Sequence, residues 1–121
     1  MATFRMIVND VNASVAFYTG HLAFVLDQQY GPAMAIVTRD DITLWVAGPM
    51  ASASKPMPDG SQPVPGGWAR FVLVVDDLAG MVDRLRAAGV GFRNDIVAGP
   101  GGRQILVEDP SGNVVELFQP A

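Results

Sequence analysis

The feature that most constrains the fold of this chain is an internal repeat. The segment "VNDVNASVAFYTGHLAFVL", which begins at Val8, and the segment "VDDLAGMVDRLRAAGVGFR", which begins at Val75, share one pattern at an offset of 67 residues (75 minus 8). Self-similarity at a fixed spacing is typical of a repeated structural unit. The sequence therefore predicts two copies of one supersecondary module.

Each copy contains one short amphipathic helix. Apolar residues at spacings of four and three lie on one face of a helix. The residues with this spacing are Val11, Val15 and Tyr18 in the first copy and Leu78, Val82 and Leu85 in the second. The pattern predicts one helix after the first strand of each copy.

Flanking polar residues and glycines predict where these helices begin and end. One residue of Asn9-Asp10 and one of Asp76-Asp77 is expected to cap the helix start, because Asx side chains accept hydrogen bonds from the first turn. The helices are expected to stop near Gly20 and Gly89, since glycine adopts the left-handed C-cap conformation at little cost.

After each helix, alternating and β-branched patterns predict strands separated by turn residues. The approximate strands are 22–30, 33–38 and 41–47 in the first copy and 90–97, 103–108 and 113–118 in the second. With the strand before each helix, the predicted fold class is α+β, built from two tandem βαβββ modules. Residues 48–67 contain five of the nine prolines and no periodic pattern, so they are predicted to be a connecting loop, either a passive linker or a binding loop.

Composition excludes several classes of function. The chain has 8 Lys and Arg against 12 Asp and Glu, without a basic cluster, which argues against nucleic acid and against an anionic membrane surface as partners. The longest aliphatic block, residues 71–75, is too short to span a bilayer. Cysteine is absent, which excludes thiolate catalysis and Cys-based zinc sites. A cytoplasmic protein is the default expectation.

Two motifs, in this order, resemble the vicinal oxygen chelate superfamily, the glyoxalase/bleomycin resistance protein/extradiol dioxygenase family. They are a D-x-x-x-S-x-x-F-Y start, from Asp10 to Tyr18, and a D-P-x-G-x-x-x-E-L finish, from Asp109 to Leu117. The resemblance covers essentially the whole chain and implies a single domain, 1–121, with module 1 at about 1–47, the loop at 48–67 and module 2 at about 68–121. It also implies a curved, antiparallel-rich sheet around a cavity.

The resemblance further implies where metal ligands lie in metal-dependent relatives, namely near the start of the first strand and on the last strand of each module. Carried over by the motifs, these positions are Thr3 and Arg70 on the first strands, and Thr43 and Glu116 on the last. Only Glu116 matches, and an arginine has no lone pair to give. The single histidine, His21, falls in a turn. No metal or other cofactor is therefore expected within one chain, although a partner chain that completes a divalent metal site remains an alternative.

The same positions predict a site for a small organic ligand. Strand alternation adds Arg5, Trp45 and Phe118 to the face that carries the implied ligand positions, and Trp68 in the loop can close over it. The candidate ligand-binding residues are Thr3, Arg5, Thr43, Trp45, Trp68, Arg70, Glu116 and Phe118. Arg70 and Glu116 are expected to form an ion pair, which either plugs a vacated metal site or orients a polar ligand. The alternative for the aromatic residues is that they are core.

Three functions follow from this interpretation. The preferred one is a metal-free, glyoxalase/bleomycin-resistance-like binding protein that holds a flat aromatic or antibiotic-like ligand in the cavity between the modules. The alternatives are a metal-dependent enzyme, that is a glyoxalase-like lyase, an isomerase or a dioxygenase, and a non-catalytic protein-interaction module. If the protein is an enzyme, the sequence does not indicate which residues are catalytic. A homodimer is expected, as for many relatives, because such sheets leave strand edges that need covering.

Overall fold

A computed structural model describes residues 2–121 of the chain. These residues divide into two compact units, the first ending at Gly66 and the second beginning at Gly67. Each unit has the element order strand, helix and three strands. The predicted α+β class with tandem βαβββ modules is thus confirmed, whereas the assignment of 1–121 to one domain stays a prediction.

The first unit is a four-stranded mixed sheet with one helix. Its elements are β1 (Ala2–Ile7), α1 (Val11–His21), β2 (Val25–Tyr30), β3 (Met34–Arg39) and β4 (Ile42–Ala47). The strand order is β1-β4-β3-β2, in which β1 is parallel to β4 and the other neighbours are antiparallel. A short 3-10 helix, Ser52–Ser54, follows in the loop.

The second unit repeats this arrangement. Its elements are β5 (Val72–Val74), α2 (Leu78–Ala87), β6 (Val97–Gly99), β7 (Gly102–Glu108) and β8 (Val114–Pro120). The strand order β5-β8-β7-β6, with β5 parallel to β8, is the same as in the first unit. The repeat in the sequence is therefore a repeat of topology.

Each unit has its own core, formed where the helix packs on one face of its sheet. Alternate strand residues point to that face, so buried and less buried positions alternate along the strands. The buried apolar residues that share this face are Ala35, Val37, Leu44 and Val46 in the first unit and Leu73, Ile105, Val107, Val115 and Leu117 in the second. We call the opposite face of each sheet its helix-free face.

The two helix starts confirm the offset of the repeat. The Asp10 carboxylate accepts a hydrogen bond from the Ala13 N–H at 3.0 Å, and the Asp77 carboxylate accepts one from the Gly80 N–H at 3.1 Å. Of the two alternatives in each Asx pair, the second residue is thus the N-cap. These caps are 67 residues apart (77 minus 10), as the sequence predicts.

The helices are short. α1 has 11 residues and α2 has 10, whereas about 20 apolar residues are needed to cross a bilayer as a helix. Within residues 2–121, no helix combines the length and hydropathy that a membrane span requires.

α1 ends near Gly20 as predicted, but that glycine is not its left-handed C-cap, whereas Gly89 follows α2 with a φ of 82° as expected. α1 continues through Gly20 to His21, and the left-handed residue is Ala23, with a φ of 60°. The N–H groups of Leu22 and Phe24 both donate to the Tyr18 carbonyl, at 3.3 and 3.1 Å. Both of these side chains are buried, so core packing places the reversal at the alanine between them.

The predicted strand at 90–97 is also wrong. Phe92 forms only an isolated bridge with Val107, and regular strand pairing begins at Val97. The Asn94 side-chain oxygen accepts the Leu106 N–H at 2.9 Å, in place of a backbone carbonyl. The side chain thereby satisfies a sheet donor and the backbone ladder is interrupted, a competition that is typical of asparagine.

Beyond its 3-10 helix, the connecting loop contains a turn between Met57 and Ser61. Met57 and Ser61 are joined by a backbone hydrogen bond of 2.8 Å. Inside this turn, Asp59 accepts hydrogen bonds from the Ser61 hydroxyl at 2.7 Å and the Ser61 N–H at 3.0 Å. These two bonds, the hydroxyl first, lower the pKa of Asp59 below its usual value. The loop is therefore locally structured and not uniformly extended.

Candidate functional site

In the first unit, the helix-free face brings four predicted site residues together. Thr3 is paired in register with Thr43, and Arg5 with Trp45, on the neighbouring strands β1 and β4. Paired residues share a face of a sheet, and residues two apart on one strand share it as well. The guanidinium carbon of Arg5 lies 4.9 Å from the centre of the Trp45 ring, which is a cation–π contact.

In the second unit, the predicted ion pair between Arg70 and Glu116 is present. Arg70 Nε donates to Glu116 Oε1 at 3.0 Å, and Arg70 Nη1 donates to the Trp68 carbonyl at 3.4 Å. The side chain of Glu116 is 11% exposed and that of Arg70 is 30% exposed. The carboxylate is thus largely removed from water, and its charge is balanced by one arginine through a single charge-assisted hydrogen bond.

The strand register corrects one equivalence drawn from the sequence. Arg5 and Val72 are 67 residues apart, and their partners on the last strands are Trp45 and Glu116. Glu116 therefore occupies the register position of Trp45, two residues beyond Thr43. The sequence matched the wrong residues because "ITL" and "VEL" each contain a leucine that is buried against the helix, which makes the two motifs alike.

Phe118 lines a cavity of about 270 Å³ on the second unit. The other lining residues are Gln104 and residues of the β6–β7 hairpin, Val97 and Gly99 to Gly102. Phe118 and Gln104 are paired in register on β8 and β7. The volume is slightly below the roughly 300–1,000 Å³ of common ligand pockets, so this cavity has room for a small group only.

A second cavity, of about 310 Å³, lies in the first unit at the start of α1. Its lining includes Asp10, Asn12 and Met50 but none of the predicted site residues. The Asp10 carboxylate already caps the helix. This cavity therefore does not add to the candidate site.

Arg93 is a structural residue that the sequence did not indicate. Its guanidinium lies 4.5 Å from the centre of the Trp68 ring and donates to the carbonyls of Gly67 at 2.6 Å and Gly112 at 2.9 Å. It also donates to Glu108 Oε2 at 3.3 Å. Arg93 thus fastens the start of the second unit to the turn before β8. Its hydrogen-bond partners are 15 to 26 residues away along the chain, so no local pattern reveals it.

The residues at the implied metal positions do not fit a divalent metal. In the first unit, Thr3 and Thr43 offer only neutral hydroxyl groups, and Trp45, the register counterpart of Glu116, is an indole that only donates. In the second unit, the one matching carboxylate is bonded to an arginine. Within residues 2–121, no group of three or more His, Cys, Asp or Glu side chains is arranged to hold a metal ion. We therefore derive no chemical step that passes through a metal.

Solved structures with the same fold include proteins of different activities. The chain is similar to TnmS3, an antibiotic binding protein from Streptomyces sp. CB03234, with 28% identity, a TM-score of 0.74 and coverage of 98% of this chain and 93% of that one. A superfamily member from Sphaerobacter thermophilus is 26% identical, with a TM-score of 0.76 and coverage of 98% and 95%. A lactoylglutathione lyase from Agrobacterium tumefaciens is 18% identical, with a TM-score of 0.77 and coverage of 98% and 92%, and shares the fold.

Sequence comparisons complete the assignment. Comparison with curated proteins gives no significant match. The family model of the Glyoxalase/Bleomycin resistance protein/Dioxygenase superfamily, in contrast, matches residues 1–117, nearly the full length. The family resemblance in the sequence is thereby confirmed, and the chain belongs to the glyoxalase/bleomycin resistance protein/dioxygenase superfamily.

Proposed function

We propose that this chain is a metal-free small-molecule binding protein that holds a flat aromatic or antibiotic-like ligand on the helix-free faces of its sheets. The observation that carries the proposal is the bond between Arg70 and Glu116. It engages the one carboxylate among the positions that the family resemblance implies for metal ligands.

The ion pair works against metal-dependent chemistry for an electrostatic reason. A dication at Glu116 would have to displace a charge-assisted hydrogen bond of 3.0 Å. It would also stand beside a guanidinium that remains protonated in proteins. Both the attraction within the ion pair and the repulsion of a dication by Arg70 are stronger at this partly desolvated site than in water. The negative charge of Glu116 is therefore balanced by Arg70, and its carboxylate is not available as a metal ligand.

The other predicted residues have the chemistry of a binding surface for planar molecules. Phe118 lines the cavity of about 270 Å³ in the second unit. Trp45 lies on the helix-free face of the first unit, with Arg5 over its ring. Aromatic rings bury a large apolar area and stack on flat partners with defined geometry. Apolar pockets with a few polar groups are the usual form of ligand sites.

The similarity to TnmS3 agrees with this chemistry. That protein is described as antibiotic binding and is 28% identical over nearly the full length of both chains. Because one fold supports many functions, the similarity supports the class of function and not a particular ligand.

The test is ligand-dependent stability. The purified protein is heated with polycyclic aromatic antibiotics in the presence of EDTA, with non-aromatic aminoglycosides as the control class. A ligand at 100 times its Kd stabilises the folded state by about 2.7 kcal/mol. We expect aromatic compounds to raise Tm in EDTA and aminoglycosides to leave it unchanged. Calorimetric titration then gives Kd and stoichiometry.

The two tryptophans allow the contact to be located. The variant Trp68→Phe keeps only Trp45, and the variant Trp45→Phe keeps only Trp68. Quenching of Trp45 by the ligand in Trp68→Phe supports binding on the face of the first unit. A transition metal retained stoichiometrically through dialysis would support the metal-dependent enzyme instead. Absence of Tm shifts across the aromatic panel would support an interaction module.

A further inference from the structure

We infer that the ligand carries a carboxylate on its aromatic system and that Arg5 is the residue that binds it. This inference rests on the proposed function and specifies its ligand class as aromatic acids. It depends on the charge of Arg5, on the position of its guanidinium and on the hydroxyl groups in the adjacent register row.

Arg5 is one of three arginines in the described part of the chain that form no ion pair; the others are Arg84 and Arg103, and neither of these lies over an aromatic ring. Within residues 2–121, the ion pairs are made by other arginines, namely Arg39, Arg70, Arg86 and Arg93. Arg5 is exposed, and the contact that the structure gives it is with the Trp45 ring. A guanidinium has five N–H donors and no acceptor. These donors are therefore available to an anion from outside the chain.

The contact with Trp45 restricts where the guanidinium can lie. A guanidinium that is placed over an indole loses part of its conformational freedom before any ligand arrives. Its charge is retained, and N–H groups at its edge can form two parallel bonds with a planar carboxylate. The entropy lost on binding is thereby reduced, as for other preorganised sites. The indole can at the same time contact an aromatic ring that bears the carboxylate.

The adjacent row of the sheet adds neutral donors. Thr3, Thr43 and Thr38 are paired in register across β1, β4 and β3, one row from Arg5 and Trp45. Rows on one face of a sheet are close enough for side chains to contact a common ligand. Threonine hydroxyls donate hydrogen bonds without adding charge. The face thus offers one cation and several hydroxyl groups, which is suited to a carboxylate.

The second unit lacks this property on its own helix-free face. Arg70, which lies two residues before β5, is bonded to Glu116, so its charge is balanced internally. Val72 and Val74 are exposed on the same strand. The contrast assigns the recognition of negative charge to the first unit and apolar contact to the second.

The test compares a matched pair of probes, 2-naphthoic acid and 2-naphthamide, by calorimetric titration of the full chain. The two compounds have the same aromatic system and differ in charge. We expect Arg5→Gln to weaken binding of 2-naphthoic acid by about 10- to 100-fold, the effect of losing a hydrogen bond to a charged group. Binding of 2-naphthamide should be unchanged. Arg5→Lys should weaken binding of the acid by less, because it keeps the charge but loses the planar fork.

Arg84→Gln is the control for a general change in charge. Arg84 is exposed on α2, and it has the same formal charge as Arg5. We expect this variant to bind 2-naphthoic acid like the unaltered protein. In the unaltered protein, NMR should show that the acid shifts the Arg5 Nε–Hε and Trp45 indole signals more than the amide does. That measurement does not depend on whether a variant folds.

The outcomes separate the inference from the proposed function. If the amide binds as tightly as the acid, and Arg5→Gln changes neither affinity, the inference is wrong and the proposed function stands. Equal losses in Arg5→Gln and Arg84→Gln would likewise contradict a specific role for Arg5. If neither probe binds at 1 mM, roughly the weak limit of measurable affinity, the inference is wrong, and the proposed function is then decided by the antibiotic panel alone.

Discussion

Arg5 and Arg70 show how neighbouring groups decide what one residue type does. Arg70 is bonded to a carboxylate that is mostly buried, so its charge serves the fold of the second unit. Arg5 lies over an indole and is exposed to solvent, so its charge is available for binding. The difference follows from β8, where the register position of Trp45 is taken by Glu116.

The pair between Arg70 and Glu116 should stabilise the fold more than a surface ion pair does. Both side chains are less than one third exposed, so breaking the pair from one side leaves a charge partly removed from water. We expect a double-mutant cycle with Arg70→Met, Glu116→Leu and the combination to give a coupling energy of about 1–2 kcal/mol. The measurement is urea unfolding followed by circular dichroism.

Arg86 and Asp95 provide the matched control for that cycle. Their bond is 3.1 Å long, almost the same length, but their side chains are 50% and 96% exposed. The corresponding cycle should give less than about 0.5 kcal/mol, as for other exposed pairs. Equal coupling energies for the two pairs would show that burial does not strengthen the bond of Arg70 with Glu116.

Arg93 should be more important for stability than its position in an irregular segment indicates. Arg93→Gln removes the contact with the Trp68 ring and the bonds to the Gly67 and Gly112 carbonyls. We expect the free energy of unfolding to fall by about 1–3 kcal/mol. Arg86→Gln is the control, because Arg86 also lies over a ring, that of Phe92, but forms an exposed ion pair. A loss of stability no larger than that of the control would contradict this role.

At the scale of elements, replacing glycine by alanine near the ends of the two helices should change the free energy of unfolding in opposite directions. Gly20 lies inside α1 with open space at its Cβ position, so Gly20→Ala should raise the free energy of unfolding by about 0.5 kcal/mol. Gly89 has a φ of 82°, where alanine is strained, so Gly89→Ala should lower it by about 1 kcal/mol. Urea unfolding of both variants measures the difference. The same sign for both variants would contradict this assignment of the helix ends.

These elements also show which parts of the fold the sequence could predict. The caps at Asp10 and Asp77 depend on residues within one helical turn, and their spacing was visible in the repeat. The reversal at Ala23 was not visible, because it depends on how Leu22 and Phe24 enter the core. The segment from residue 90 to 97 has strand-like composition, but the Asn94 side chain takes the place of backbone pairing.

The candidate site was predictable to a similar extent. The shared face of Arg5 and Trp45 follows from strand alternation, whereas Arg70 contacts Glu116 although the register partner of Glu116 is Val72. The sequence could not show that Glu116 corresponds to Trp45 and not to Thr43. A shift of two residues keeps every side chain on the same face of the sheet, so the alternating pattern fits both alignments. Contacts made by Arg93 connect distant segments and need the fold itself.

At the scale of the whole molecule, each four-stranded sheet ends in strands that have a neighbour on one side only. β2 is such an edge strand, and all six of its residues are exposed, among them Val25, Leu26 and Tyr30. Edge strands with exposed apolar residues and unpaired backbone groups are sites where another chain can pair. Asp27, at an irregularity in the pairing of β2 with β3, is the only charged residue in this strand.

We therefore propose that the protein is a homodimer and that β2 contributes to the contact between copies. Sedimentation velocity at tens of micromolar should show a species of twice the chain mass, and Tm should rise with protein concentration, because association stabilises the folded state by mass action.

Val25→Lys should shift the equilibrium towards monomer, since lysine on an edge strand opposes pairing. Val64→Lys is the control, because Val64 is 74% exposed in the loop and Val25 is 65% exposed in the strand. Monomer alone in the unaltered protein would contradict the dimer, whereas a dimer that withstands Val25→Lys would place the contact on another edge, which Val74→Lys in β5 tests next.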